Sequence, residues 1–165
     1  MNRTFLLILL LSVISLVGCN LENDESKSSI PVDDKEIGKY NEELATKLGA
    51  DEYGMKKYVI AFLKEGPNRN QDSLTSAHLQ RAHLENIRKL SAMGKLSLAG
   101  PFLDGGEIRG IYIFNVESLE AAKQLTETDP AIQAGRLVME LRPWYGSAAL
   151  QQVNELHNVL AKKNP

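Results

Sequence analysis

Imidazole and carboxylate side chains have the greatest chemical reach in this chain, and two of them, His83 and Asp129, sit where the pattern could put them to work. Leu79, His83, Ile87 and Leu90 fall on one helical stripe, so His83 is expected to point inward among apolar side chains, while His78 lies nearer Arg81 and Glu85 on the solvent side. An imidazole inside a core must hydrogen-bond, because an unsatisfied buried polar group costs on the order of 1–3 kcal/mol. Asp129, in the segment Asp-Pro-Ala-Ile-Gln-Ala-Gly, is the best candidate partner. A carboxylate on one ring nitrogen fixes the tautomer and raises the basicity of the other, which is what a general base requires. The expected site is a catalytic His83–Asp129 pair. Two structural alternatives stand beside it: a histidine merely satisfied within the core, and an Asp129 that caps a short helix with Pro130 at its first position and Gly135 as its stop.

The other candidates are weaker. His78 and His83 are five residues apart, which rules out the usual helical metal pair at i, i+3 or i, i+4, so no metal site is expected. His157 shares a helical face with Val153 and Leu160 and reads as structural or solvent-edge. Arg136 could meet a substrate carboxylate, but pairing with a surface acid is the favoured reading. Trp144-Tyr145 could line a cleft, although packing is the commoner role of such a pair. No cofactor is expected, since neither G-x-G-x-x-G nor G-x-x-x-x-G-K-[ST] occurs. A formal net charge of −2 without a Lys/Arg cluster gives no footprint for nucleic acid.

The elements that must position these groups follow from hydrophobic period and punctuation. Lys39 to Leu48 predicts a short amphipathic lead-in helix ending at Gly49. The β-rich run from Lys56 to Lys64, stopped by Gly66-Pro67, predicts a strand. Asp72-Ser73 caps a helix to about Met93, and Leu96 to Phe102 is a second strand. Asp104-Gly105-Gly106 turns into a third strand from Ile108 to Val116. Ser118 caps a helix from Leu119 to about Glu127, and Leu137 to Leu141 is a fourth strand ended by Pro143. The order is β-α-β-β-α-β, an α+β ferredoxin-like arrangement. Strands one and three are nearly continuous apolar runs, yet two helices shield only one face of such a sheet. A second copy packed sheet to sheet is the expected cover, giving a homodimeric α/β barrel. Ser147 to Lys162 carries Leu150, Val153, Leu156 and Leu160 at helical spacing and predicts an extra C-terminal helix, docked on the domain or its neighbour.

These segments also resemble a known family. His83-Leu84 to Gly94, then Lys95-Leu96-Ser97-Leu98-Ala99-Gly100-Pro101, then Val116-Glu117-Ser118-Leu119-Glu120-Ala121-Ala122, then Asp129-Pro130-Ala131 to Ala134-Gly135, are similar in order and spacing to the YCII-related family, over roughly Lys56 to Trp144. The resemblance implies the dimeric α/β-barrel fold and a His–Asp pair in a cleft, carried by His83 and Asp129. It also implies kinship with cofactor-free lyases, isomerases and dehalogenating enzymes acting on small acidic or aromatic molecules, alongside many members with no known reaction, and fold alone does not choose among them.

The N-terminus sets the address. Arg3, an apolar Phe5 to Val17 and Leu16-Val17-Gly18-Cys19 resemble a bacterial lipoprotein signal, too short for a comfortable membrane span. The resemblance implies cleavage after Gly18 and acylation of Cys19, the only cysteine, which leaves the mature chain without a disulfide or a thiol nucleophile. Residues 19–38 then read as an acylated tether too polar to bury a core. The expected domains are a signal peptide at 1–18, that tether, a lead-in at 39–55, the domain proper at 56–146 and the C-terminal helix at 147–165. The expected location is the cell envelope, facing periplasm or surface. Asn20 after Cys19 leans towards the outer membrane. The expected function is binding of a small organic molecule, with lyase or isomerase chemistry if the pair is catalytic; the alternative is a non-catalytic binding or assembly lipoprotein.

Overall fold

The computed structural model describes residues 38–163, so the expected signal peptide, Cys19 and nearly all of the tether lie outside the described residues. From Tyr40 onward the chain forms one compact unit. Its elements in order are α1 (Glu42–Leu48), β1 (Met55–Glu65), α2 (Ser73–Ala92), β2 (Leu96–Pro101), β3 (Ile108–Phe114), α3 (Leu119–Thr126), α4 (Pro130–Gln133), β4 (Leu137–Ser147), a 3₁₀ turn (Ala148–Gln152) and α5 (Val153–Leu160). The expected caps form: Asp72 accepts the Thr75 amide at 2.8 Å to start α2, and Ser118 accepts that of Ala121 at 3.1 Å to start α3.

The four strands make one antiparallel sheet in the order β2-β3-β1-β4, the ferredoxin-like topology that the strand and helix order predicts. Register sorts the side chains into two layers, because successive residues point to opposite faces. Val59 lies opposite Phe114, and Ala61 opposite Tyr112. With Leu63 and Leu96 these form the core beneath the helices, against Leu90 of α2 and Ala122 of α3. Val59 and Phe114 are wholly buried, worth about 1.5–3 kcal/mol each relative to exposure. The opposite face carries Ile60 across from Ile113, and Phe62 across from Ile111. Ile60, Phe62 and Ile111 remain half-exposed in the single chain.

Two elements depart most from the sequence expectation. Strand four does not end at Pro143 but runs on to Ser147, with Pro143 opposite Val59. β4 is an edge strand, where alternate N–H groups face away from the sheet and a proline is tolerated. The expected helix over 147–162 is split, opening as the 3₁₀ turn and becoming α-helical only at Val153. A polar clasp holds the turn at the end of the sheet: Lys56 Nζ donates to Asn115 Oδ1 at 2.8 Å, and Asn115 Nδ2 to Gln151 Oε1 at 3.1 Å. Beyond it the apolar side of α5, Leu156, Val159 and Leu160, stays exposed.

Candidate active site

α2 delivers His83 and α4 delivers Asp129. His83, Asn86 and Leu90 are the buried residues of α2, with Ile87 half-buried beside them and His78 exposed. Asn86 is not on the expected stripe; its Oδ1 lies 3.2 Å from the Thr128 hydroxyl, which donates to the Leu125 carbonyl at 2.7 Å, and its Nδ2 is buried with no hydrogen-bond partner among the described residues. Asp129 itself is fully buried in extended backbone at φ −83 and ψ 120. Pro130 starts the short helix, and Gly135 ends it with φ +66, a left-handed conformation that favours glycine.

The two side chains meet. His83 Nδ1 lies 2.6 Å from Asp129 Oδ2, and Asp129 Oδ1 accepts the Ala131 amide at 2.8 Å. The pairing with His83 and the capping role, set out above as alternatives, are therefore carried by one carboxyl group. A carboxylate only accepts, so Nδ1 is the protonated nitrogen, and in the neutral ring Nε2 keeps its lone pair. Tyr112 Oη stands 3.3 Å from Nε2, with its ring 21° from parallel to the imidazole.

His83 and Tyr112 line a cleft of about 400 Å³. Its walls are mostly apolar, among them Leu63, Leu84, Ile87 and Leu137, and its other polar members are Gln80 and Arg109. Gly110 belongs to the floor and must be glycine: a Cβ there would stand 2.6 Å from the Gly100 carbonyl oxygen of the neighbouring strand. Arg109 is held by Glu65, and it donates to the Gly105 carbonyl at 3.1 Å. Its guanidinium, with those of Arg69 and Arg136, keeps the Glu65 carboxyl below the usual carboxylate range. A larger and more open depression of about 530 Å³, lined by residues of α3 and β4, holds Glu120, Lys123 and Glu127 but no buried acid–base pair. The smaller cleft is the one lined by a member of the buried His83–Asp129 pair.

Residues 58–145, more than half of the chain, match the family model of the YCII-related domain. The chain belongs to the YCII-related family. The matched segment runs from within β1 to within β4, so α1, the 3₁₀ turn and α5 are additions flanking the YCII-related domain. The uncharacterized protein YjpA of Bacillus subtilis (strain 168) is 31% identical over 62 residues, covering 38% of this chain and 71% of that protein. Among solved structures, 5-chloro-2-hydroxyhydroquinone dehydrochlorinase (TftG) from Burkholderia phenoliruptrix AC1100, in complex with 2,5-dihydroxybenzoquinone, is 24% identical with a TM-score of 0.40, covering 54% of this chain and 93% of that one.

Other sequence candidates fall outside the cleft of the YCII-related domain. Arg136 does not seek a surface acid as its hydrogen-bond partner: it donates to Gln71 Oε1 at 3.1 Å and Ser76 Oγ at 3.3 Å, joining the start of β4 to that of α2. Trp144 packs on Tyr58 with ring centroids 5.8 Å apart, and Tyr145 bonds to Asp51. His157 is exposed. Among the described residues, no group of three or more His, Cys, Asp or Glu could hold a metal ion. Tyr112, Arg109 and Gln80 were missed. The available signal was a tyrosine within the apolar run Ile-Tyr-Ile-Phe, since a hydroxyl buried there must find a partner.

Proposed function

We propose that the domain binds a small organic molecule in the His83 cleft and acts on it as a cofactor-free lyase or isomerase, with His83 Nε2 as general base. Asp129 orients the ring and stabilises the imidazolium that forms. The observation that supports this most is the position of the pair: Nδ1 is engaged by a buried carboxylate at 2.6 Å while the other side of the ring faces an apolar cleft. Apolar walls limit the water that competes for the Nε2 lone pair. The second reading, a structural hydrogen bond in a non-catalytic binding or assembly protein, is favoured by the cap that Asp129 gives to α4.

A thermal-shift screen of small organic acids, ketones and phenols on wild type and His83→Gln tests the reading. Glutamine keeps an amide that can donate to Asp129. Ligands that stabilise only the wild type support the cleft, and ligands that stabilise both proteins equally contradict it.

The proposed setting is the bacterial envelope, outer membrane rather than inner, with the chain tethered by lipid on Cys19 and working as a homodimer. Palmitate labelling that persists in Cys19→Ser would contradict the anchor. The dimer rests on the half-exposed Ile60, Phe62 and Ile111 of the sheet face opposite the helices, a face that also carries the Lys64–Glu140 ion pair.

A further inference from the structure

Tyr112 is more completely buried than the histidine beside it, 2% exposed against 7%. It stands in β3 between Ala61 of β1 and Ala99 of β2, its cross-strand partners, and both are small. Their short side chains leave room for a large ring between α2 and the sheet. Phe114 braces one side edge-on at a centroid distance of 5.6 Å. Towards the cleft the next position on the same face of β3 is Gly110, which has no side chain to cover the phenol. The tyrosine is therefore fixed by packing with its hydroxyl at the inner end of the cleft, 3.3 Å from His83 Nε2. Burial, and secondarily the charge of Asp129, push the phenol far above its ordinary value, so it is a neutral donor at any physiological pH.

We propose that Tyr112 is the third working side chain of the site: its hydroxyl donates to His83 Nε2 in the free protein and is handed to an oxygen of the ligand when Nε2 takes up the ligand's proton. The inference rests on the general-base reading above and narrows the ligand to a small apolar molecule with an acidic C–H next to a carbonyl. Asp129 holds the proton on Nδ1, so the lone pair on Nε2 must receive a donor, and Tyr112 is the neighbour that supplies one. In the reaction the C–H bond breaks and its proton goes to Nε2. The bonding pair moves into the carbon–oxygen system, and the oxygen gains the negative charge. That oxygen accepts from Tyr112, whose proton stays on Oη throughout. A preformed donor against apolar walls is worth far more than the same donor in water.

Tyr112→Phe removes the hydroxyl and keeps the ring, hence the packing against Phe114. Two measurements follow. In the free protein, the ¹⁵N signal of His83 Nε2 should move from that of a hydrogen-bonded acceptor in wild type towards that of a bare lone pair in Tyr112→Phe, with Nδ1 protonated in both. With cyclohexanone as probe in D₂O, wild type should accelerate exchange of the α-protons above His83→Gln, and Tyr112→Phe should lose about a hundredfold of that acceleration. An unchanged Nε2 signal, or equal exchange by wild type and Tyr112→Phe, overturns the role of Tyr112 and leaves the His83 base standing. Equal exchange by wild type and His83→Gln overturns the base itself and Tyr112 with it.

Discussion

Asp129 divides its carboxyl between two tasks: Oδ2 lies 2.6 Å from His83 Nδ1, while Oδ1 accepts the Ala131 amide at 2.8 Å. The bond to His83 joins residues 46 apart in sequence, and the bond to Ala131 builds the turn that holds the carboxyl in place. The group that would tune the base is thus positioned by the helix it starts. Removing it acts on stability and on the ring together.

Asp129→Ala strands a buried imidazole N–H and uncaps α4, so unfolding should become easier by about 2–4 kcal/mol. Asp129→Asn should lose clearly less, because asparagine caps as well as aspartate. Chemical denaturation of the two variants beside wild type measures both values. Equal losses would mean that the cap contributes nothing.

Alkaline unfolding should report Tyr112. Its folded value is raised above the ordinary tyrosine value of 10.0, so the stability it contributes is complete below pH 10 and declines as pH rises further, where only the unfolded chain ionises. Wild type should therefore lose stability above that pH, and Tyr112→Phe should show a flatter alkaline limb. Tyr58, also raised by burial, keeps some slope in the variant. Identical limbs in the two proteins would contradict the burial of the phenol.

Much of the fold was legible because it is written in local chemistry. The Asp72 and Ser118 caps, the Asp104-Gly105-Gly106 turn and the apolar runs around Val59 and Ile111 each imply their element without reference to the rest of the chain. Strand four was cut short because Pro143 stops a strand in most settings, and only edge placement, a property of the whole sheet, makes it tolerable. The site was half legible. A histidine on an inward stripe and an Asp-Pro cap can be read locally, the need of a buried imidazole for a partner pairs them, and the family resemblance implies the same pair. Tyr112 could not be placed, since a tyrosine in an apolar strand does not show which element lies across from it. Arg136 likewise has its partners at Gln71 and Ser76, 65 and 60 residues away.

The proposed homodimer packs through the sheet face opposite the helices. Phe62 stands at the centre of that face between Ile111 and Glu140, and it is half-exposed in the single chain. A soluble protein starting near Lys35 should sediment as a dimer, and Phe62→Asp should shift it to monomer, because a desolvated, unpaired charge opposes sheet-to-sheet packing. A wild type that stays monomeric at micromolar concentration would contradict the homodimer.

The most direct measurement of the central claim is ¹⁵N NMR of the His83 ring across pH in wild type and Asp129→Asn. Asparagine can accept the Ala131 amide with its carbonyl, but it then turns its NH₂ group towards Nδ1 and must find a lone pair there. The wild-type ring should be the Nδ1–H tautomer with Nε2 available as base. The Asp129→Asn ring should switch to the Nε2–H tautomer, with the lone pair buried against the loop and none left for the cleft. The same tautomer and the same titration curve in both proteins would show that the two side chains do not act on each other, and the account of the site would fail.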